Sequence, residues 1–599
     1  MLYSKTYFII IFFLLSGFYA CEKKSNTAKV DVLVLGDGTG AISSALAASR
    51  SGSKTILVTR LPWLGGMLSS AGVPAIDGNH HMPSGIWGEL RSELRKHYGG
   101  KEALASGWIS HTLFEPHVAD SIFKTFALSE ENLQIIHEDN LLKISRENNL
   151  WKLTKSDSSS IYASQLIDGT DLGDIVKAVG QKYDTGLDTE PVEESQLPRK
   201  DLIQDFTFTA ILKLYDTIQN FPKTINYNQY DFSCSCKAFC KEKLDNLHSC
   251  KMMLNYGKLP NNKYMINWPI NGNDYYANPI EMSYTQRDSL YGLAKEKTLS
   301  FIYYINKELG YNNLGLADDE FPTNDLLPFY PYHREARRIK GKYRLEIEHL
   351  KNPYQSNYYK TGIAVGDYPI DHHHKEHAFQ VDSAFVTVPS FNIPIAALLP
   401  DEIDKFYVAD KSISVSHVVN GATRLQPVIL QVGQAAGTIA NYCREYKCSA
   451  NDISVRKIQA SLLDQGVYIM PTYDVSKQDK DFIILQKIAA CGIIKLEGEP
   501  YKWANRSWFF PDTLVYWKDV KDGIVEYGNN GIISQGKIEL STFEAYFNTT
   551  IEPRVWKELG LEVSDKNKPF TRRTFSLLYN HYFDPFSKDI DIHGNFIDI

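Results

Sequence analysis

Residues 30–66 read VDVLVLGDGTGAISSALAASRSGSKTILVTRLPWLGG: a strand, a glycine turn, a helix and a second strand in one stretch. Val30, Val32, Leu33, Val34 and Leu35 form the short apolar run expected of a parallel strand buried on both faces. Gly36, Gly38 and Gly40 follow at once. Gly36 permits a tight turn, Gly38 lets the backbone approach a pyrophosphate, and the helix opening there offers its N–H groups and dipole to the anion. Ala41 takes the third fingerprint position, which tolerates alanine, and Ser43, Ser44, Ala45, Ala47 and Ala48 let the helix lie close on a sheet. With a second strand over residues 55–59, the stretch predicts the dinucleotide-binding unit of an α/β, Rossmann-like domain, against the plainer reading of a glycine-rich turn without a nucleotide.

One position departs from the pattern. An acidic residue usually ends the second strand and holds the adenosine ribose, whereas Thr59 and Arg60 stand here. A threonine hydroxyl supplies one hydrogen bond to a ribose where a carboxylate supplies two, so the adenosine contact must be rebuilt or weakened.

Residues 1–20 hold one basic residue, Lys5, ahead of an apolar run, which reads as a secretory signal rather than a membrane span. Ala20 before Cys21 suggests cleavage there and lipidation of Cys21, making residues 21–29 a tether and the protein an exported, membrane-anchored lipoprotein of the periplasm or cell surface; an ordinary secreted protein and an uncleaved anchor are the alternatives. A net charge of −7 spread over 599 residues argues against a nucleic-acid partner. Aromatic content of 12%, with 36 tyrosines, leaves a carbohydrate substrate open without requiring it.

Cys234, Cys236, Cys240 and Cys250 cluster with a spacing that suits an iron–sulfur or zinc site. Export favours two disulfides stapling a loop instead. Cys443 and Cys448 are placed for another local bridge, and Cys491 reads as an inert core thiol.

After a helical stretch to residue 128, residues 133–138, 141–146, 150–155 and 161–167 read as strands, the last closing on Asp168, Gly169 and Thr170. Four segments together resemble the bacterial FAD-dependent oxidoreductases of the glutathione-reductase-like superfamily, in the exported branch often labelled xanthan-lyase-like. They are the glycine fingerprint with Leu64, Gly65, Gly66 and Met67; residues 166–180 (LIDGTDLGDIVKAVG); residues 334–343 (REARRIKGKY); and residues 408–438 (VADKSISVSHVVNGATRLQPVILQVGQAAGT). The resemblance runs from residue 30 to about 512 and implies non-covalent FAD. It implies an FAD-binding domain in two parts, 30–180 and 363–448, around a substrate-facing α+β insertion at 181–362. From residue 449 the helical spacing of Val455, Ile458, Leu462 and Leu463, and then of Phe482, Leu485, Ile488 and Ala489, reads as a mostly helical domain at 449–599.

By the same resemblance, Gly169 and Thr170 turn past the flavin, Asp410 accepts hydrogen bonds from ribityl hydroxyls, and a helix opening near Gly433, Gln434 and Ala435 points its N-terminal half at the flavin ring. Departures from the family are Ala409, Asp410 and Lys411, where relatives carry glycine and arginine. In the insertion, Asn267, Trp268, Asn271, Asn273, Asp274 and Tyr275 suit a polyhydroxy ligand or, equally, a packed tyrosine-rich loop.

The catalytic candidates follow. Residues 332–338 hold Arg334, Arg337 and Arg338; an irregular segment would turn some inward, whereas a helical surface with a Glu335–Arg338 pair is the plainer reading. The resemblance favours Arg334 or Arg337 as stabiliser of developing negative charge. His372, His373 and His374 are consecutive, so they cannot all face one ion on a regular element, and no metal is expected. His372, with His417 second, is the candidate base for hydride transfer from an alcohol to the flavin; polar surface histidines are the alternative. The combined reading is an FAD-dependent oxidoreductase acting on a small molecule, with carbohydrate or a derivative as the leading substrate class and the electron acceptor unnamed. A carbohydrate-processing lyase and a glycan-binding lipoprotein with a vestigial flavin site are the competing functions.

Overall fold

The computed structural model describes residues 27–188, 199–244, 247–374, 387–529, 536–562 and 568–597. The signal, Cys21 and most of the tether lie outside them. No helix among the described residues is long and apolar enough to cross a membrane.

A seven-stranded sheet organises the chain. Strands β1 (Ala28–Leu35), β2 (Thr55–Thr59), β3 (Leu133–His137), β4 (Ile144–Glu147), β5 (Leu150–Thr154) and β6 (Ser160–Asp168) lie in the order β3-β2-β1-β6-β5-β4, and β7 (Phe406–Val408) also pairs with β6. β3, β2, β1, β6 and β7 run parallel, while β4 and β5 are antiparallel. β5 covers the first half of β6 and β7 the second, so β6 ends at Asp168 between β1 and β7, with Leu35 and Val408 its partners. The strand expected at 141–146 starts only at Ile144, because Leu141 and Leu142 form the turn that reverses the chain.

Helix α1 (Thr39–Arg50) returns across the sheet, packed against α3 (Gln426–Tyr446), which follows the short α2 (His417–Thr423). Ser43 and Ser44 turn their hydroxyls back onto the carbonyls of Gly40 and Ala41, hiding their polarity in the close contact.

The region inserted after β6 has a core of its own. Ala210–Leu214 lies between Lys263–Ile266 and Leu314–Leu316 in a three-stranded antiparallel sheet, backed by the helix Tyr284–Tyr303. Phe206, Phe208, Leu212, Phe232, Trp268 and Phe301 fill it. The cysteine cluster forms two disulfides, Cys234–Cys240 and Cys236–Cys250. Cys443 and Cys448 are not bridged: their sulfurs stand 3.6 Å apart as thiols, against an S–S bond of about 2.0 Å. Beyond residue 449 the chain is mainly helical, and its apolar faces join the main core rather than forming a separate one.

Candidate functional site

The ends of β1, β6 and β7 converge on the glycine turn. Gly36 has φ of +141°, and a Cβ there would sit 2.2 Å from the Gly169 carbonyl carbon. At Gly40 a Cβ would lie 1.2 Å from the Ala409 oxygen, so β7 can reach the turn only past a bare backbone. Gly38 N–H donates to the Gly169 carbonyl at 2.9 Å, and Gly169 N–H to the Leu35 carbonyl at 2.8 Å. Gly38, the N-cap of α1, has no side chain to cap it. Asp410 stands at its first turn, accepting from Gly40 N–H at 2.9 Å. The Leu64–Met67 segment closes the same corner: Thr39 Oγ1 donates to the Gly65 carbonyl at 2.8 Å, and a Cβ on Gly66 would meet Thr39 N at 2.3 Å. Gly36, Gly38, Gly40, Gly65, Gly66, Gly169, Thr170 and Asp410 thus share one cradle, with Met67 buried beneath it and Ala41 against Gly169.

At the end of β2 the missing acid is supplied from the glycine turn itself. Asp37 accepts the Thr59 hydroxyl, and its Oδ1 takes Arg60 N–H at 2.6 Å and Leu61 N–H at 3.1 Å. Thr59 is therefore a buried buttress of Asp37, not an outward ribose contact, because its hydroxyl is already committed. Arg60 places its guanidinium 3.7 Å over the Tyr284 ring. Burial raises the Asp37 carboxyl, with Thr59 and Arg60 opposing. Beside it, Lys411 Nζ bridges Asp171 (2.5 Å) and Asp410 (2.9 Å), while His333 joins Asp171 (2.6 Å) to the Tyr291 hydroxyl (2.9 Å). Burial would lift the Asp171 carboxyl, but Lys411 and His333 outweigh it and hold it at about 2.

Gly433, Gln434 and Ala435 lie elsewhere. Helix α3 begins at Gln426, with Pro427 in its first turn, so these residues sit two turns inside it with their N–H groups already bonded along the helix. A Cβ at Gly433 would meet Ser43 Oγ at 2.0 Å, and Gln434 accepts Ile86 N–H at 2.9 Å and donates to Gln465 at 2.8 Å. Gly433 packs against α1, and Gln434 ties the helix to Ile86 and Gln465. The free end of α3 lies at Gln426, whose side chain donates to the Ala75 carbonyl at 3.1 Å.

Residues 332–338 are irregular and buried rather than a helical surface, and they split their cations. Arg334 donates to the Asp205 carbonyl (2.8 Å), Thr207 Oγ1 (3.0 Å) and Asp274 Oδ1 (3.1 Å), 4.9 Å over the Tyr332 ring. Arg337 turns away to Asp174 at 2.7 Å and the Leu172 carbonyl at 3.0 Å. Arg338 pairs with Glu335 and Asp188.

The histidine run divides in the same manner. Side chains two apart on an extended segment share a side, and His372 and His374 face His417 while His373 points oppositely, between Asp274 (3.0 Å) and Asp371 (3.4 Å). Arg424 joins Asp371 (2.8 Å) to the Tyr332 hydroxyl (2.6 Å). His372 donates to or accepts from nothing in that cluster: its Nε2 lies 3.0 Å from the Val418 carbonyl, and burial with His417 and His374 pushes its pKa well down, which makes it a weak base. His373 stands apart from its two neighbours, while His417, 43 residues past His374, joins His372 and His374 in a trio with ligand atoms within 4.8 Å of one another.

Asp77, Asp371 and Arg424 were missed by sequence reasoning. Asp77 stands alone among unremarkable residues, and Arg424 lies inside a motif read for Asp410, His417 and the Gly433–Ala435 run. Asp77 is half-buried, and its carboxylate has no hydrogen-bond partner among the described residues. Burial, and then the charge of Asp371, raises its carboxyl to about 8 against the opposing Arg424. It is two residues past Ala75, on the segment that leaves the Gly65–Met67 corner.

A family model described as FAD dependent oxidoreductase matches residues 31–462. Among solved structures, OxyS anhydrotetracycline hydroxylase from Streptomyces rimosus is 11% identical, covering 77% of this chain and 72% of its own, with a TM-score of 0.32. The p-nitrophenol 4-monooxygenase PnpA from Pseudomonas putida is 11% identical over 53% of this chain and 70% of its own, at 0.25. Aquifex aeolicus GidA is 22% identical over 24% of this chain, at 0.18, and the match spans only 26% of the GidA chain. No curated protein matches. The glycine turn opening α1, the bare backbone at Gly36 and Gly40 and the acid brought to the end of β2 fit a bound dinucleotide, and with the family model over most of its length the chain belongs to the FAD-dependent oxidoreductases.

Proposed function

We propose that this oxidoreductase is an exported lipoprotein that oxidises a hydroxyl-bearing small molecule, carbohydrate-derived, at the cluster of Asp77, Arg334 and Arg424. Bound FAD supplies the acceptor for the hydride leaving the substrate carbon. Gly36, Gly38, Gly40, Gly169 and Asp410 would hold the cofactor, with Asp37 toward the adenosine. Asp77 takes the proton released from the substrate hydroxyl, so the substrate loses one hydride and one proton in forming a carbonyl. Arg334 and Arg424, both buried and already fixed by hydrogen bonds, stabilise negative charge on that oxygen without reorganising.

The observation that carries this reading is Asp77: a carboxyl without a protein hydrogen-bond partner among the described residues, raised to about 8 within the fields of Asp371 and Arg424. Tyr368 and Trp503, with ring centres 5.9 Å apart, support a sugar-like substrate by offering aromatic faces nearby. The two disulfides support export.

The test is anaerobic bleaching of the purified flavoprotein by a panel of sugars and sugar alcohols. At least one should bleach the parent, and Asp77→Asn should slow it by about 100-fold or more while retaining FAD. An unsaturated product formed without bleaching would replace the reading by a lyase, and sugar binding without turnover by a glycan-binding protein.

A further inference from the structure

We propose that His372, His374 and His417 bind one divalent transition-metal ion of the zinc class through three imidazole nitrogens. His374 Nε2 and His417 Nε2 face each other at 3.1 Å. The other nitrogen of each ring is spoken for: His374 Nδ1 lies 3.2 Å from the Ile203 carbonyl, and His417 Nδ1 3.2 Å from Glu335 Oε1. A ring nitrogen against a carbonyl or carboxylate carries the hydrogen, which leaves a neutral imidazole with its lone pair on the opposite nitrogen. Two such lone pairs turned toward each other repel unless a cation lies between them.

His372 repeats the arrangement. Its Nε2 is 3.0 Å from the Val418 carbonyl, and its Nδ1 is buried with no hydrogen-bond partner. The ring centres are 4.8, 5.2 and 5.6 Å apart. Three imidazoles on a tetrahedral ion, each with a metal–nitrogen distance of about 2.0–2.1 Å, put their ring centres about 5 Å apart.

All three rings thus have the outer hydrogen bonds that orient metal-bound histidines, Glu335 providing the carboxylate behind His417. Glu335 is itself fixed by Gly186 N–H at 2.9 Å and Gln204 N–H at 3.1 Å. A donor set of imidazoles alone suits zinc, cobalt, nickel or copper rather than magnesium or calcium. With three protein ligands, a fourth position is left for water or a small anion. The other group of ligand types, Glu115, His117 and Glu320, is a different case, because the Lys263 ammonium already sits 2.7 Å from Glu115 and 2.8 Å from Glu320.

The full-length flavoprotein, stripped with a chelator, would be titrated calorimetrically with zinc chloride alone, with bound zinc per chain counted by atomic emission. The expected result is one zinc per chain, bound at sub-micromolar affinity, with affinity falling more than about 100-fold in His374→Ala and unaltered in His117→Ala. If His374→Ala does not fold, His372→Ala, at a partly exposed ring, replaces it and should weaken zinc in the same direction. Equal zinc affinity in the parent and the folded histidine variant, or less than stoichiometric zinc in the parent, overturns the site. FAD content, read from the visible spectrum of the same samples, should not change with the metal, so failure here leaves the flavin assignment untouched.

Discussion

Asp77 lies near both Asp371 and Arg424, and burial, with the Asp371 charge, lifts its carboxyl to about 8. As a proton acceptor it must be ionised, so kcat/KM should rise with pH through about 8 and the rise should vanish in Asp77→Asn, as read from pH profiles of flavin bleaching. The same shift has a stability consequence of opposite sense. The folded state keeps a proton that the unfolded chain releases near the ordinary carboxylate range, so stability contributed by Asp77 falls as pH climbs from about 4 to about 8 and levels off above. Asp77→Asn should therefore gain thermal stability relative to the parent at pH 9 and little at pH 4; an equal gain at both would show that the folded-state pKa is not raised. Asp37 makes a different prediction. Its carboxylate accepts the Thr59 hydroxyl at the end of β2 and ties down Arg60 and Leu61. Asp37→Ala removes those charge-assisted bonds, each worth about 1.5–3 kcal/mol, and should weaken FAD by at least about 10-fold, measured by equilibrium dialysis, while a conservative Thr59→Ser keeps the hydroxyl and changes it little.

At the scale of elements, the cradle depends on how closely α3 lies on α1. Gly433 and Gly437 bring the helices together, since a Cβ at Gly433 would meet Ser43 Oγ at 2.0 Å and the Gly40 oxygen at 2.5 Å. Gly433→Leu must push α1 away at Gly40, the residue whose N–H is held by Asp410. Overpacking of this kind costs about 1–3 kcal/mol, and the expected outcome is a lower melting temperature together with reduced FAD content; loss of stability with full FAD would mean that the cradle does not follow the helix. Here the limits of sequence reading are physical. The parallel strands and α1 were legible because an apolar run, three glycines and a small-residue helix follow one another without interruption. The start of α3 was not, since Gly433 to Gly437 look like a turn-and-helix opening when only composition is visible, whereas Pro427 marked the true first turn six residues before Gly433. The alternation of His372, His373 and His374 is implicit in any extended segment, yet the partner that gives it meaning, His417, is reached only through tertiary folding. Arg334 and Arg337 could not be separated for the same reason: what distinguishes them is Asp274 on one side and Asp174 on the other.

Across the whole molecule, the cradle and the proposed substrate cluster draw on two different cores. Gly36 to Gly40, Gly169 and Asp410 stand on the main sheet, whose core includes Val32, Leu166 and Val408. Asp274, which anchors Arg334 and faces His373, belongs to the inserted region, where it pairs through the Thr207 strand with the core of Phe206, Phe208 and Trp268. That second core is small and is stapled by Cys234–Cys240 and Cys236–Cys250, cysteines 6 and 14 positions apart. A loop of about 15 residues closed by a disulfide contributes about 3 kcal/mol by restricting the unfolded chain, a large part of the stability of a region this size. Cys236→Ser with Cys250→Ser should therefore loosen the insertion before the flavin domain. Substrate-dependent bleaching should fall, because Arg334 loses the fixed Asp274 that neutralises and aims it, while FAD remains bound to a main sheet that contains neither cysteine. A thermal scan followed by flavin fluorescence and by far-ultraviolet dichroism should then show a partial unfolding step ahead of flavin release. If flavin is released in that first step, the two cores unfold as one unit, and the insertion supports the cradle as well as the cluster.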